Sequence, residues 1–219
     1  MSACATRALV LFDIDGTLVR RTGPQHRVAL VEAIRLVTGV ETTTDGIALH
    51  GMLDPDILRL MMDAAGVSGD MAAIVAAAQA IYDEIVPASL EDKVCPGVWD
   101  LLERLHGNTV LALVTGNLTR IGRRKLERAG IGHYFVFGAF GEMAPTRGGL
   151  ARLAIEHVRT DGPVTLIGDA PQDVIAAREN GIRSIAVRTG VTPPGELEAC
   201  GPDYILDDLT HLVPAHHLE

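Results

Sequence analysis

Leu9-Val10-Leu11-Phe12-Asp13-Ile14-Asp15-Gly16-Thr17 is the stretch on which the reading of this chain turns. A short, continuous apolar run, expected as a buried strand over residues 8–12, stops at two carboxylates with one residue between them. Gly and Thr follow, to turn the chain. Strand side chains alternate sides, so Ile14 points away while Asp13 and Asp15 converge on one spot. Two unpaired acids beside a buried strand repel each other and resist desolvation. A hard divalent cation is their natural compensation. The run therefore points to metal-assisted chemistry at a strand end.

Outward from this strand the periodicity changes. From about residue 25 to 87, apolar residues recur at helical spacing: Leu30, Val31, Ile34 and Val37; Ile57, Leu60, Met61 and Ala64; Met71, Ile74, Val75, Ala78, Ile81, Tyr82 and Ile85. Breaks fall at Gly39, around Gly51 and at 66–69. No strand interrupts them, so the stretch reads as a helical insertion that ends at Pro96-Gly97. After it the alternation is regular. Helices are expected from Val98 to Leu105 and over 118–129, 147–158 and 172–180. Strands are expected over 109–114, 134–138, 164–167, 184–187 and 204–206. The fold class is therefore α/β, a doubly wound parallel sheet with helices on both faces and an inserted helical unit. The boundaries implied are 1–20 and 93–219 for the α/β core and 21–92 for the insert. Ligands of such sheets bind beyond the carboxyl ends of the strands.

With 219 residues, 47% hydrophobic and 21% charged, the chain reads as globular, with room for one or two domains. A net charge of −9 argues against a nucleic-acid backbone or an anionic membrane as main partner, but leaves room for a small anionic substrate at a local site. Cys4, Cys95 and Cys200 are far apart and show no metal-type spacing, so reduced thiols and a cytoplasmic location are expected. The N-terminal apolar run reads as a core strand rather than a signal peptide, and no stretch is long enough to span a bilayer. His216 and His217 read as part of a frayed end.

Two more expected strands end in polar residues suited to the same site. One runs into Thr115-Gly116-Asn117, where a hydroxyl, a flexible Gly and an amide can bind an oxyanion beside a helix N-terminus. The other runs into Gly168-Asp169-Ala170-Pro171-Gln172-Asp173, which delivers two further acids. Taken alone, an Asp-Gly-Thr or a Thr-Gly-Asn is usually a turn or a cap, and Asp173 could simply complement a helix dipole. Their coincidence at the carboxyl ends of parallel strands defeats those readings. Four converging carboxylates are costly without a cation.

These three motifs, in this order and spacing, resemble the haloacid dehalogenase superfamily, mainly its phosphatases and in particular phosphoglycolate phosphatases. Asp13-Ile14-Asp15-Gly16-Thr17 matches the family's first motif, Thr115 its second, and Gly168-Asp169 with Asp173 its fourth. A helical cap between the first and second motifs is a known layout of that family. The resemblance implies a phosphatase acting on a small phosphorylated metabolite. Asp13 would be the nucleophile that forms an aspartyl-phosphate, and Asp15 the group that protonates the leaving oxygen and then deprotonates water. Mg2+ would sit on Asp13, the backbone carbonyl of Asp15, Asp169 and Asp173. Thr115 and the backbone of Gly116 and Asn117 would hold phosphate oxygens. The family's third motif, usually a Lys, falls by position at Pro145-Thr146-Arg147, so its cation would be Arg147. Lys125 is the other candidate. It interrupts the apolar stripe Leu118, Ile121, Gly122, Ala129, where a Lys commonly snorkels along its helix. Helical side chains lean toward the N-terminus, here the Thr115 end, about 10 Å away at ~1.5 Å per residue. Gly122 would leave it room.

Against a 2-haloacid dehalogenase stands Asp15, since dehalogenases of that superfamily need neither this second acid nor a metal. A phosphomutase of the β-phosphoglucomutase type shares the core and stays open as an alternative. Phosphonoacetaldehyde hydrolase needs a cap lysine, and residues 20–90 contain none. A non-enzymatic regulatory role is the remaining alternative, since a fold never implies activity. His50-Gly51-Met52-Leu53-Asp54 reads as a helix-entry loop, with Asp54 as N-cap before Pro55 and His50 as a candidate substrate contact. Arg21 could meet an anionic substrate tail, although an exposed hinge charge is the simpler reading. The Met61–Met62 pair and Tyr82 read as core. Oligomeric state is not encoded in any of these features.

Overall fold

The computed structural model describes residues 7–218 except Arg21, so Cys4 and the expectation for Arg21 lie outside the described residues. Six parallel strands form one sheet in the order β3-β2-β1-β4-β5-β6. They are β1 (Leu9–Phe12), β2 (Val110–Val114), β3 (Phe137–Ala139), β4 (Val164–Gly168), β5 (Arg183–Val187) and β6 (Tyr204–Leu206). β1 is central because it is apolar at every position: all four residues are fully buried, as a strand covered on both faces must be. Its alternation divides two cores. Val10 and Phe12 pack with Val98, Leu101, Leu102 and Leu105 of α4 (Val98–Leu105). Leu9 and Leu11 pack with Leu150, Ala151 and Ala154 of α6 (Arg147–Val158) and with Ala176 and Ala177 of α7 (Pro171–Glu179). Alanines on α6 and α7 let both helices approach the sheet closely.

The register lines up the strand ends. Phe12 pairs with Leu113 on one side and Ile167 on the other. One residue further, Asp13 donates its backbone N–H to the Ile167 carbonyl at 2.9 Å. The chain builds outward from β1 in one direction through β3, then restarts on its other side at β4. The crevice at this reversal is where open parallel sheets bind ligands.

Among the described residues, three helices lie between β1 and α4: α1 (Gln25–Thr38), α2 (Asp54–Ala64) and α3 (Met71–Ile85). Ala33, Ile34, Leu58, Met61, Ile74 and Tyr82 meet in a core of their own. The stripe of α2 is turned from the expected one: Leu58 and Met62 are buried where Leu60 and Ala64 are exposed, and Val37 of α1 also faces out. That core is completed from outside. Leu118 and Ile121, at the start of α5 (Thr119–Arg128), are fully buried in it. The apolar joint therefore binds the insert to the same helix that carries Lys125.

Differences from the sequence reading are local. The strand expected over 134–138 is Phe137–Ala139, because Tyr134 ends a short 3-10 turn over Gly132–Tyr134 and packs from there. Helix α8 (Pro194–Cys200) carried too little periodicity to be seen, since only Leu197 and, in part, Cys200 pack into the core among its described side chains. The C-terminal residues described, through Leu218, are not frayed. Pro214–His217 forms a short helix, α9, the His217 ring accepts the Val213 N–H at 2.9 Å, and Leu218 is buried in the core. Among the described residues, no helix is long and apolar enough to cross a membrane.

Candidate active site

Strand ends carry the acids to one point. Oxygens of Asp13, Asp169 and Asp173 lie within 4.8 Å of one another, and all three residues are buried. Both carboxylate oxygens of Asp169 and Oδ1 of Asp173 have no hydrogen-bond partner. Burial, followed by the nearby Asp13 and Asp173 charges, pushes the Asp169 carboxyl up to about 9. Burial likewise pushes Asp173 up to about 7, against the pull of Arg147. Buried oxygens without donors, gathered at one point, fit a hard divalent cation, whose ligands are carboxylate and carbonyl oxygens.

Glycines make the space. A Cβ at Gly16 or Gly190 would overlap the Asp169 carboxylate, and one at Gly168 would overlap that of Asp173. Gly16 also turns the chain at a φ of +88°, which side chains rarely adopt, so that its N–H reaches the Val19 carbonyl at 2.7 Å. The Gly-Asp and Asp-Gly pairs seen in the sequence are thus clearances around two carboxylates.

Arg147 and Lys125 both reach the site, on different acids. Arg147 stands at the start of α6 and is buried. Its Nη1 donates to Asp13 Oδ1 at 2.8 Å and to the Val114 carbonyl at 3.1 Å, and its Nε lies 3.5 Å from Asp173. Its pKa is raised, because Asp173 and Asp13 outweigh the burial that would lower it. Lys125 does not snorkel to solvent. It is 1% exposed, and its Nζ donates to Asp15 Oδ1 at 2.7 Å, to Asp15 Oδ2 at 2.5 Å and to Asn117 Oδ1 at 2.7 Å. Gly122 clears a different path from the one expected: a Cβ there would press on Phe140 and Ile14, so it lets α5 lie against the core.

Asp15 is thereby separated from the acid cluster. Burial alone would raise its carboxyl, but the Lys125 ammonium and His26 more than offset this and hold it below the ordinary carboxylate range. Asn117 binds through its side chain rather than offering it to a ligand. Nδ2 donates to Asp15 Oδ2 and to Thr115 Oγ1, both at 2.8 Å. Thr115 is fully buried beneath it. Gly116 and Asn117 line the cleft, which has a volume of about 390 Å³ and also takes in Asp13, Asp15, Arg147 and Asp169.

The insert covers this loop directly. Asp54 is the first residue of α2 rather than its N-cap, and its groups face the core instead. Its backbone N–H donates to the Gly116 carbonyl at 2.8 Å, and its Oδ2 accepts from the Leu118 N–H at 2.7 Å and meets His26 Nε2 at 2.8 Å. Three side chains cap the free N–H groups that begin α5: Asp54 at Leu118, Glu142 at Thr119 (3.0 Å) and Gln79 at Arg120 (2.8 Å). Asp54 and Gln79 come from the insert. On the opposite side, His50 meets Thr192 Oγ1 at 2.5 Å and lies 3.6 Å from Asp169. The parts played by His26 and Asp54 escaped the sequence reading. An Asp before a Pro reads as a helix start, and a His in the first turn of a helix carries no spacing signal.

Gly116 is also where the two units touch backbone to backbone. A Cβ there would overlap the Met52 carbonyl oxygen, which has no flexible end to yield. Gly116→Ala is expected to cost about 1–3 kcal/mol, the usual range for overpacking. The shift in urea unfolding midpoint at unchanged slope measures it, and an unshifted midpoint would show that the insert moves aside freely.

Comparisons with known proteins agree on one group. A family model described as haloacid dehalogenase-like hydrolase matches residues 8–181. The chain is similar to a phosphoglycolate phosphatase of Vibrio parahaemolyticus, 26% identical over 215 residues and 94% of either chain. It is similar to a probable phosphatase, IndB, of Dickeya dadantii, 30% identical over 96% of this chain and 94% of that protein. Among solved structures, a CbbY variant from Rhodobacter sphaeroides in complex with xylulose-1,5-bisphosphate has a TM-score of 0.73 at 21% identity, covering 98% of this chain and 99% of that one. A β-phosphoglucomutase from Clostridium difficile has a TM-score of 0.74 at 18% identity, covering 96% and 95%. These two likenesses concern the fold.

Proposed function

The chain belongs to the haloacid dehalogenase-like hydrolases, and we propose that it is a Mg2+-dependent phosphatase that cleaves a small phosphomonoester through an aspartyl-phosphate on Asp13. The observation that carries this reading is the division of the first two acids. Asp13 stands in the donor-poor acid cluster beside Arg147, whereas Asp15 stands apart on Lys125 and Asn117. One carboxylate is equipped as a nucleophile and the other as a proton carrier. Enzymes that use two carboxylates for separate tasks set their environments apart in this way.

Arg147 engages Oδ1 of Asp13 and leaves Oδ2 to attack phosphorus. As the new O–P bond forms, the bond to the leaving oxygen breaks, and that oxygen takes a proton from Asp15, which Lys125 and His26 hold as a carboxylate in the free protein and which first takes that proton up from solvent. Asp15, now a carboxylate, removes a proton from water, which attacks the phosphoryl group. Phosphate departs and the Asp13 carboxylate is restored. Arg147 and the loop at Gly116 balance charge on the phosphoryl oxygens. Asp13, Asp169 and Asp173, with the Asp15 carbonyl, would hold Mg2+, which supplies charge neutralisation between the carboxylate nucleophile and the phosphate when bound.

Residues 21–92 act in this reading as a cap that selects the substrate. The cleft of about 390 Å³ suits a small ester; the name of the Vibrio relative makes phosphoglycolate-like compounds the first to try, and the sugar bisphosphate held by the CbbY variant adds sugar phosphates to the panel. The second acid that distinguishes phosphatases from dehalogenases is present and held by a lysine. Release of inorganic phosphate from a panel of phosphorylated metabolites is the test. Turnover is expected with Mg2+ and is expected to vanish with chelator. No Mg2+-dependent release across the panel would overturn the proposal. An aspartyl-phosphate that hydrolyses only when a sugar phosphate is added would turn it toward a mutase.

A further inference from the structure

We propose that His26 and Asp54, both on the helical insert, are positioning residues that hold Lys125 against Asp15, so that seating the insert on the core is what aims the proton-carrying carboxylate. This rests on the role given to Asp15 above and extends it to residues outside the acidic motifs.

Lys125 Nζ is buried among three kinds of acceptor, the Asp15 carboxylate, Asn117 Oδ1 and His26 Nδ1 at 3.2 Å. An ammonium has three N–H donors and no acceptor, so the two Asp15 oxygens share one N–H and the other two go to Asn117 and His26. His26 Nδ1 must therefore accept, which leaves the ring proton on Nε2. That nitrogen lies 2.8 Å from Asp54 Oδ2. Asp54 thus selects the tautomer of His26, and His26 in turn completes the coordination of Lys125. Asp54 is 2% exposed and is itself anchored at both ends to the core, by its N–H on the Gly116 carbonyl and its carboxylate on the Leu118 N–H. The chain of contacts runs without a gap from the core backbone, through two insert residues, to Lys125 and Asp15.

The direction of the carboxylate gives the chain its purpose. The Lys125 side chain is 1% exposed and that of Asp15 is 41% exposed. The ammonium grips from behind, and the open side of the carboxylate faces the cleft. Removing His26 leaves a buried ammonium one partner short, free to turn on Nζ and draw Asp15 with it. A merely structural pair would tie the insert to the core without any bond to Lys125.

Esters with different leaving groups separate the two roles. The parameter kcat/KM covers the steps through cleavage of the P–O bond. An alkoxide leaving group needs the proton from Asp15, and 4-nitrophenolate does not. The esters are 2-phosphoglycolate, or whichever alkyl phosphate of the panel is turned over fastest, and 4-nitrophenyl phosphate. His26→Ala and Asp54→Asn are each expected to lower kcat/KM for the alkyl ester about 10²-fold, the lower end of what a placed acid supplies, and by no more than about threefold for the aryl ester. His26→Asn, whose amide oxygen can take the place of Nδ1, is expected to recover most of the alkyl rate. Equal loss on both esters, or no loss on the alkyl ester, would overturn the inference. Should Asp54→Asn fail to fold, the His26 pair decides alone. Wild-type protein that cleaves neither ester would instead bring down the phosphatase reading, and this inference with it.

Discussion

Asp13→Asn is expected to abolish phosphate release, by about 10⁴-fold or more, as loss of a covalent nucleophile does elsewhere. The substitution is nearly isosteric, and the amide oxygen can still accept the Arg147 hydrogen bond now made to Asp13 Oδ1. It also removes one negative charge from a cluster in which Asp13 helps to push Asp169 up. The variant should therefore fold at least as well as the wild type while losing its chemistry. Initial rates on the best metabolite of the panel, beside a thermal melt, measure both. Activity within tenfold of wild type would remove Asp13 from the nucleophile's role, and with it the aspartyl-phosphate.

Asp169→Asn is expected to move activity and stability in opposite directions. Turnover should fall about 10²–10³-fold, the scale for loss of electrostatic support at a transferring phosphoryl group. Stability without metal should rise. Burial and two neighbouring carboxylates push Asp169 from an ordinary 3.8 to about 9, and Asp173 to about 7. Both pKa values are raised on folding, so the native state holds protons that the unfolded chain has already released. The contribution of these two groups to the stability of the metal-free wild type is therefore fully present below about pH 4 and is lost as pH rises toward about 9. Asp169→Asn removes the larger part of that slope. At pH 8 in chelator its melting temperature should exceed that of wild type by several degrees, at roughly 2–4 °C per kcal/mol for a chain of this size. Added Mg2+ should raise the melting temperature of wild type and leave that of the variant nearly unchanged. A metal-free variant that melts below wild type at pH 8, with the same pH slope, would show that the three acids are not in conflict.

Several features of the site were visible before any folding was considered. Asp13, Asp15, Asp169 and Asp173 stand out because an acid that closes an apolar run is costly to bury and so is rarely there by accident. Gly16 and Gly168 were visible as punctuation, but their reason was not. A bend needs a glycine anywhere, whereas only the packed sheet shows whose carboxylate fills the space of the missing Cβ. Lys125 was conspicuous as a charge on an apolar stripe, and its destination was not. Arg147 was marked by its position relative to the motifs rather than by any local pattern. Asp54 misled, because Asp-Pro is a good helix start and its side chain was spoken for by a different helix. His26 gave no sign at all. Asn117 was expected to offer its side-chain amide to an anion, with its backbone beside it, yet that amide is the bridge between Asp15, Thr115 and Lys125.

By itself the sequence determined the strands, the helical insert and the ends of strands at which chemistry gathers. Those follow from periodicity and from desolvation, which act over a few residues. It also determined that acids would meet, because parallel strands in register bring their carboxyl ends to one level. Only the tertiary structure decided which cation faces which acid. Lys125 and Asp15 are 110 residues apart, and Arg147 and Asp13 are 134 apart. Pairings of that span are set by how α5 and α6 pack on the sheet, and by an insert that presses Asp54 and His26 onto the core. An ion pair has no preferred sequence separation, so nothing in the chain could announce them. The two cations that seemed rivals for one place are thereby divided between two carboxylates, Arg147 on Asp13 and Lys125 on Asp15.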